Sequence, residues 1–166
     1  MLLPPFDALQ AQHDADLGFM RFQWREPAGH YLRAVQASGR NLRPALAYGR
    51  DLIVARQPTY LLIDFEGLPP ISLADELWMT VNWLPQVAAQ ALKQVALVLR
   101  HEHLHNQMTV ESLLWAGRQL LHFPIQVFED VPVALDWLTQ GDTAAAQQLQ
   151  AEWDSLPPLP RPTLPT

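Results

Sequence analysis

The sequence predicts an α/β fold: one mixed, mostly parallel sheet of about five strands, with an antiparallel hairpin at its N-terminal side and helices packed on it. Three observations predict it. Tyr60–Ile63, Val95–Leu99 and Ile125–Phe128 are short, continuous apolar runs, the pattern of strands covered on both faces. The segments between them are long enough for crossover helices, and strand–helix–strand repeats favour parallel pairing with right-handed connections. Ahead of them, Met20, Phe22 and Trp24 alternate with Arg21, Gln23 and Arg25, the period of a strand with one buried face. A chain of 166 residues, 49% hydrophobic and 17% charged, is large enough to bury a core of this kind.

In chain order, residues 17–25 form the first arm of the hairpin. Glu26-Pro27-Ala28-Gly29 supplies a turn signal and Tyr31–Val35 the partner strand. From Leu42 the apolar spacing becomes helical through Leu46, Gly49 and Ile53, with Pro44 tolerated in the first turn. After strand Tyr60–Ile63, Ser72 is a natural N-cap with Asp75 and Glu76 in the first turn. Leu73, Leu77, Val81, Leu84 and Ala88 then share the face expected against the sheet, and Pro85 is expected to kink or end that helix after Leu84. Strand Val95–Leu99 leads to a helix carrying Val110, Leu113, Leu114, Gly117 and Leu121. Asp130 caps a short helix with Pro132 just inside it, stopping at Gly141. Asp142 opens an Ala- and Gln-rich helix to about Trp153, and five of the fifteen prolines follow in a polyproline-like end. The expected organisation is an extension over 1–16, the α/β domain over 17–141, a further helix over 142–154 and a proline-rich tail over 155–166.

Composition excludes several function classes. Eleven Lys and Arg against seventeen Asp and Glu give a net charge of −6, and Lys93 is the only lysine, so no nucleic-acid partner is expected. Without cysteine there is no disulfide, thiolate nucleophile or Cys-based metal site. Apolar runs of about five residues fall far short of the ~20 a membrane span needs. The N-terminus lacks the basic start and apolar run of a signal peptide, so a cytoplasmic location is expected. Neither a P-loop nor G-x-G-x-x-G is present, and Ser38, Ser72, Ser112 and Ser155 lack a nucleophile-elbow pattern.

Two constellations carry candidate chemistry. His101, Glu102 and His105 match H-E-x-x-H, in which histidines four apart share a helix face and hold zinc while the glutamate activates water. The match begins directly after a strand, so His101 and Glu102 fall in the strand-to-helix turn. Glu111, His122 and Glu129 are the available third ligands, none at a diagnostic spacing. His101, His103 and His105 are therefore the metal candidates, for zinc or another divalent ion; no other cofactor is implied. The second constellation follows from the fold, because ligands of open parallel sheets bind outside the carboxyl ends of the strands. Asp64, Glu66, Arg100, Glu129 and Asp130 are placed there as ligand-binding candidates.

Tryptophans and arginines suggest surfaces. Trp78 and Trp137 read as core. Trp83 and Trp115 lie partly on other helical faces, where an exposed pair marks a partner surface or dimer contact. Trp153 is expected to fold back onto the sheet or dock on a second subunit. Arg33, Arg40, Arg43 and Arg50 gather around the first helix, as an anion site or as its solvated face.

The element order, with Thr59–Leu68 as central strand and turn and Asp130–Leu138 as a late, Ala- and Leu-rich helix, resembles the STAS-like domains. These include the SpoIIAA-like branch, whose fold is akin to the lipid-binding SEC14 domain; the likeness covers roughly residues 17–141. It implies a regulatory or binding module, not a catalyst, acting on a protein partner or on itself. Phosphorylated members carry a serine beside a glycine directly after the central strand. Ser72 is the only serine near that position and so the phosphorylation candidate, although it follows Pro69 and Pro70 where a helix cap is wanted. Three functions are carried forward: a STAS-like protein- or ligand-binding module, a metal-dependent hydrolase using His101-Glu102-x-x-His105, and a SEC14-like carrier of an apolar ligand between sheet and helices.

Overall fold

The computed structural model describes residues 1–6, 9–25, 42–68, 70–101 and 104–157. Six strands form one sheet whose spatial order is the chain order: β1 (Leu2–Phe6), β2 (Leu9–Asp14), β3 (Phe19–Trp24), β4 (Tyr60–Asp64), β5 (Gln94–Val98) and β6 (Ile125–Phe128). β1, β2 and β3 pair antiparallel, whereas the β3–β4, β4–β5 and β5–β6 ladders are parallel. The mixed, mostly parallel architecture and its N-terminal hairpin are thus as the sequence predicts.

The hairpin arms, however, are residues 9–14 and 19–24. Residues 2–6 and 9–14, expected as part of an extension over 1–16, supply two strands of the sheet. The turn is held by the Asp14 carboxylate, which accepts from the Leu17 amide at 2.9 Å, and by Gly18 at φ +63°. A Cβ on Gly18 would lie 2.9 Å from the Thr59 hydroxyl, so glycine is required there. β2 escapes a pattern reading because Gln10 and Gln12 look solvent-facing yet are buried. Pro4 and Pro5, which lack a backbone N–H, sit in the edge strand β1, beside a break in its register. The expected partner strand over 31–35 and its turn lie outside the described residues.

Among the described residues there are five helices: α1 (Leu42–Arg56), α2, α3 (Leu104–Gly117), α4 (Val131–Leu138) and α5 (Thr143–Asp154). α2 opens as Leu73–Trp78, passes through a π-helical stretch Met79–Trp83 and closes as Leu84–Ala88. Three crossovers step one strand in the same direction, so right-handed connections bring α1, α2 and α3 to one face. There Leu46, Ile53, Met79, Val87, Val110 and Leu113 pack on Phe22, Leu61, Ile63, Val95 and Leu97. α4 and α5 are not crossovers and cover the other face, where Ala134, Leu135, Leu138 and Leu149 meet Phe19, Leu62, Ala96 and Val98.

The stripe expected to hold α2 on the sheet is only partly used. Leu84 and Ala88 are buried, but Leu73, Leu77 and Val81 face outward. The wider π turn shifts the phase between Val81 and Leu84, so residues aligned at 3.6 per turn no longer share a face. Pro85 follows this stretch without stopping the helix, which runs on to Ala88. Trp115 is exposed, while Trp153 is buried under the sheet.

Candidate functional site

Asp64 ends β4 on the face covered by α5, and its register partner is Gln23 of β3, two residues from Arg21 on that same face. Both Arg21 and Asp64 are buried, 3% and 1% exposed, with Arg21 Nη2 4.0 Å from Asp64 Oδ2. Arg21 donates to Gln150 Oε1 at 3.2 Å and Gln23 Oε1 at 3.3 Å, and its guanidinium stacks 3.9 Å from the Trp153 ring. From the β5 end, Arg100 Nη1 stands 3.9 Å from Asp64 Oδ1 and 2.6 Å from Glu66 Oε2. The Glu66 amide donates to Asp64 Oδ1 at 2.9 Å. Gly67, at φ +76°, makes this turn possible, since a Cβ there would fall 2.6 Å from the Trp24 carbonyl oxygen.

Two arginines and two carboxylates therefore meet at the carboxyl ends of β4 and β5. Burial pushes the Asp64 pKa up, against the Glu66 amide and both arginines, and pulls Arg21 down to about 10, against Asp64. Each member of the central pair moves toward its neutral form, so desolvation outweighs their attraction. Among the described residues, Asp64 Oδ2 and Arg21 Nε have no hydrogen-bond partner. The cluster offers charge but no hydroxyl or thiol nucleophile. Asp64, Glu66 and Arg100 come together as the rim candidates; Arg21, which completes the group, reads in the sequence as the solvent-facing side of a strand.

The remaining rim residues stand apart. Asp130 Oδ1 accepts from the Val133 amide at 3.0 Å, a helix cap, and exposed Glu129 pairs with exposed His101. His105 Nε2 meets the Ile71 carbonyl at 2.9 Å, which fixes the Nε2–H tautomer. Glu102 and His103 lie outside the described residues, and among those described no three His, Asp or Glu converge on a metal position. Ser72 accepts from the Asp75 amide at 3.1 Å and donates to the Asp75 carboxylate at 2.9 Å, an N-cap. Arg43 binds that carboxylate at 2.7 Å, and Arg50 pairs with Asp51 at 2.8 Å; Arg33 and Arg40 are outside the described residues.

A different kind of site lies on the other face. Between the sheet and α1, α2 and α3 is a cavity of about 90 Å³ whose lining, including Phe22, Leu46, Ile63, Trp83, Leu97 and Leu113, is entirely apolar. Trp83 directs its Nε1–H to the Leu46 carbonyl at 2.8 Å, so its polar atom is satisfied. Gly49 borders the cavity from α1, and a Cβ there would make ordinary contacts of 3.6–3.8 Å with Leu9 and Phe22. The signal in the sequence was a glycine inside a helical core stripe, where a leucine would have filled the space. A second hollow, about 150 Å³, has mixed lining that includes Tyr60, Thr139 and Gln140, and there Gln140 Nε2 already donates to the Tyr60 hydroxyl at 3.1 Å.

Comparison of the chain with protein-family models, with curated proteins and with solved structures finds no match. Among the described residues, no helix is long and apolar enough to cross a membrane.

Proposed function

We propose that this chain is a non-catalytic binding module that takes the apolar end of a small ligand between its sheet and α1–α3. One observation carries the reading: the cavity of about 90 Å³ has no polar residue in its lining. Left empty, such a void costs on the order of 2 kcal/mol, at about 24 cal/mol per Å³. Dry apolar voids somewhat larger than this, ~150 Å³, accept guests such as benzene. A pocket without hydrogen-bonding groups selects for hydrocarbon and leaves a headgroup outside. The likeness of the element order to the SpoIIAA-like and SEC14 domains points the same way.

The test is isothermal titration calorimetry of delipidated protein with benzene as the probe, a guest of the size such a void holds. A one-to-one complex is expected, lost in Gly49→Leu and weakened in Ala45→Val, both of which place carbon in the cavity. Melting curves establish that the variants are folded. Wild-type protein that takes up no benzene at saturation, or undiminished binding by folded variants, overturns the reading.

A further inference from the structure

We infer that a second copy of this chain packs on the outer face of α2 and α3. Leu73, Leu77 and Val81 on α2, with Leu104, Met108 and Trp115 on α3, are 62–80% exposed. The two helices run side by side in the same direction. Near their N-terminal ends Asn106 accepts from the Ile71 amide and donates to the Leu68 carbonyl, both at 3.3 Å. Near their other ends Gly117 admits Leu84 so closely that a Cβ would fall 2.3 Å from it. Packed helices lie about 8–10 Å apart, so the two ridges merge into one surface.

Both helices are apolar on opposite faces. α3 buries Val110 and Leu113 inward while presenting Leu104, Met108 and Trp115 outward. At these exposures the six side chains present on the order of 600–800 Å². The largest apolar patch of an ordinary monomer is roughly 300–600 Å². A standard interface buries about 800 Å² per partner, so one further copy supplies the matching area.

Charge favours a second copy over other occupants. A two-fold axis normal to the helices sets α2 and α3 antiparallel to their counterparts. Arg118, beyond the end of α3, then faces the N-terminal half of the partner's helices, where the first turn of α2 carries Asp75 and Glu76. Arg118 is already stacked on Trp115 at 4.1 Å, which holds an aromatic and a cation ready at the patch. An anionic bilayer meets the same acids as repulsion, on a chain of net charge −6. None of the six outward residues lines the cavity, so this inference and the ligand reading stand or fall separately.

Sedimentation-velocity and light-scattering measurements of the full chain across a concentration series test it. Wild-type protein is expected to be dimeric at micromolar concentration. Trp115→Glu and, independently, Leu77→Glu are expected to weaken the dimer by roughly 30-fold or more, the equivalent of a hot-spot loss of about 2 kcal/mol. Because both positions are exposed, far-UV circular dichroism and melting of the monomers remain native. A wild-type monomer at all concentrations overturns the inference, as does a dimer that tolerates both charges. Sedimentation of a monomeric wild type with phosphatidylcholine–phosphatidylglycerol vesicles would do so in favour of a membrane.

Discussion

His13 is the residue whose protonation the fold opposes most plainly near neutral pH. It is buried in β2, and burial first, then the nearby Arg56, pulls its pKa below 6.5. The folded state thus binds a proton less readily than the unfolded chain. This contribution to stability is complete above about pH 6.5 and declines as pH falls through that value toward the lowered one. Asp64 has the opposite sign: its raised pKa favours the fold below the ordinary carboxylate range, and that contribution is lost as pH rises through the raised value. In urea unfolding, the wild type is expected to lose stability between pH 7.5 and 5.5. His13→Gln should show a smaller loss, and equal slopes would rule the assignment out. At this scale the sequence was informative where a residue's role is set locally. Asp130 and Ser72 are caps by their position before helices, and Asp64 and Glu66 stand at a strand end. Arg21 was hidden because its burial depends on Trp153 and Gln150, more than a hundred residues away.

Among the elements, α5 does the least visible work in the sequence. Its Ala- and Gln-rich composition reads as an accessory helix, yet it closes the polar half of the second face. Gln12 Nε2 donates to the Leu149 carbonyl at 3.0 Å and to Glu152 at 2.6 Å, while Trp153 covers Arg21. Trp153→Ala is expected to cost about 3–5 kcal/mol, the range for truncating a buried tryptophan. Chemical denaturation measures this, and a loss below 1 kcal/mol would show that α5 is not an integral layer. α4 and α5 start where Asp130 and Asp142 place them, because a cap is a local signal. The face of α2 was not legible, since a single π turn changes the phase of everything beyond it. β1 and β2 were missed for a related reason: alternation assigns glutamines to solvent, and here a helix covers that side.

For the molecule as a whole, the two faces of the sheet are finished differently. One is packed with α4 and closed over charge by α5; the other keeps slack beneath α1–α3. Gly49 measures that slack. A methyl group there meets neighbours at van der Waals distance, and alanine suits a helix interior better than glycine by about 1 kcal/mol. Gly49→Ala is expected to raise the melting temperature by roughly 2–4 °C, the shift about 1 kcal/mol produces in a domain of this size. A lower melting temperature would mean that the space is already filled. The fold class followed from three apolar runs and their spacing because burial on both faces removes alternation. Which helix lies on which side depends instead on crossover handedness and on the step between neighbouring strands.

Strand order equal to chain order also bears on how the molecule is made. Each new strand finds its neighbour in the strand just before it, so a chain emerging from the ribosome can add to the sheet one rung at a time. Gln12 and Arg21 lie in the second and third strands of the sheet, yet their cover, residues 143–154, is synthesised more than a hundred residues later. Until those arrive, the second face over β2 and β3 stays wet, and its glutamines and arginine keep it soluble. The polar character that makes this face costly to bury in the finished molecule protects the nascent one.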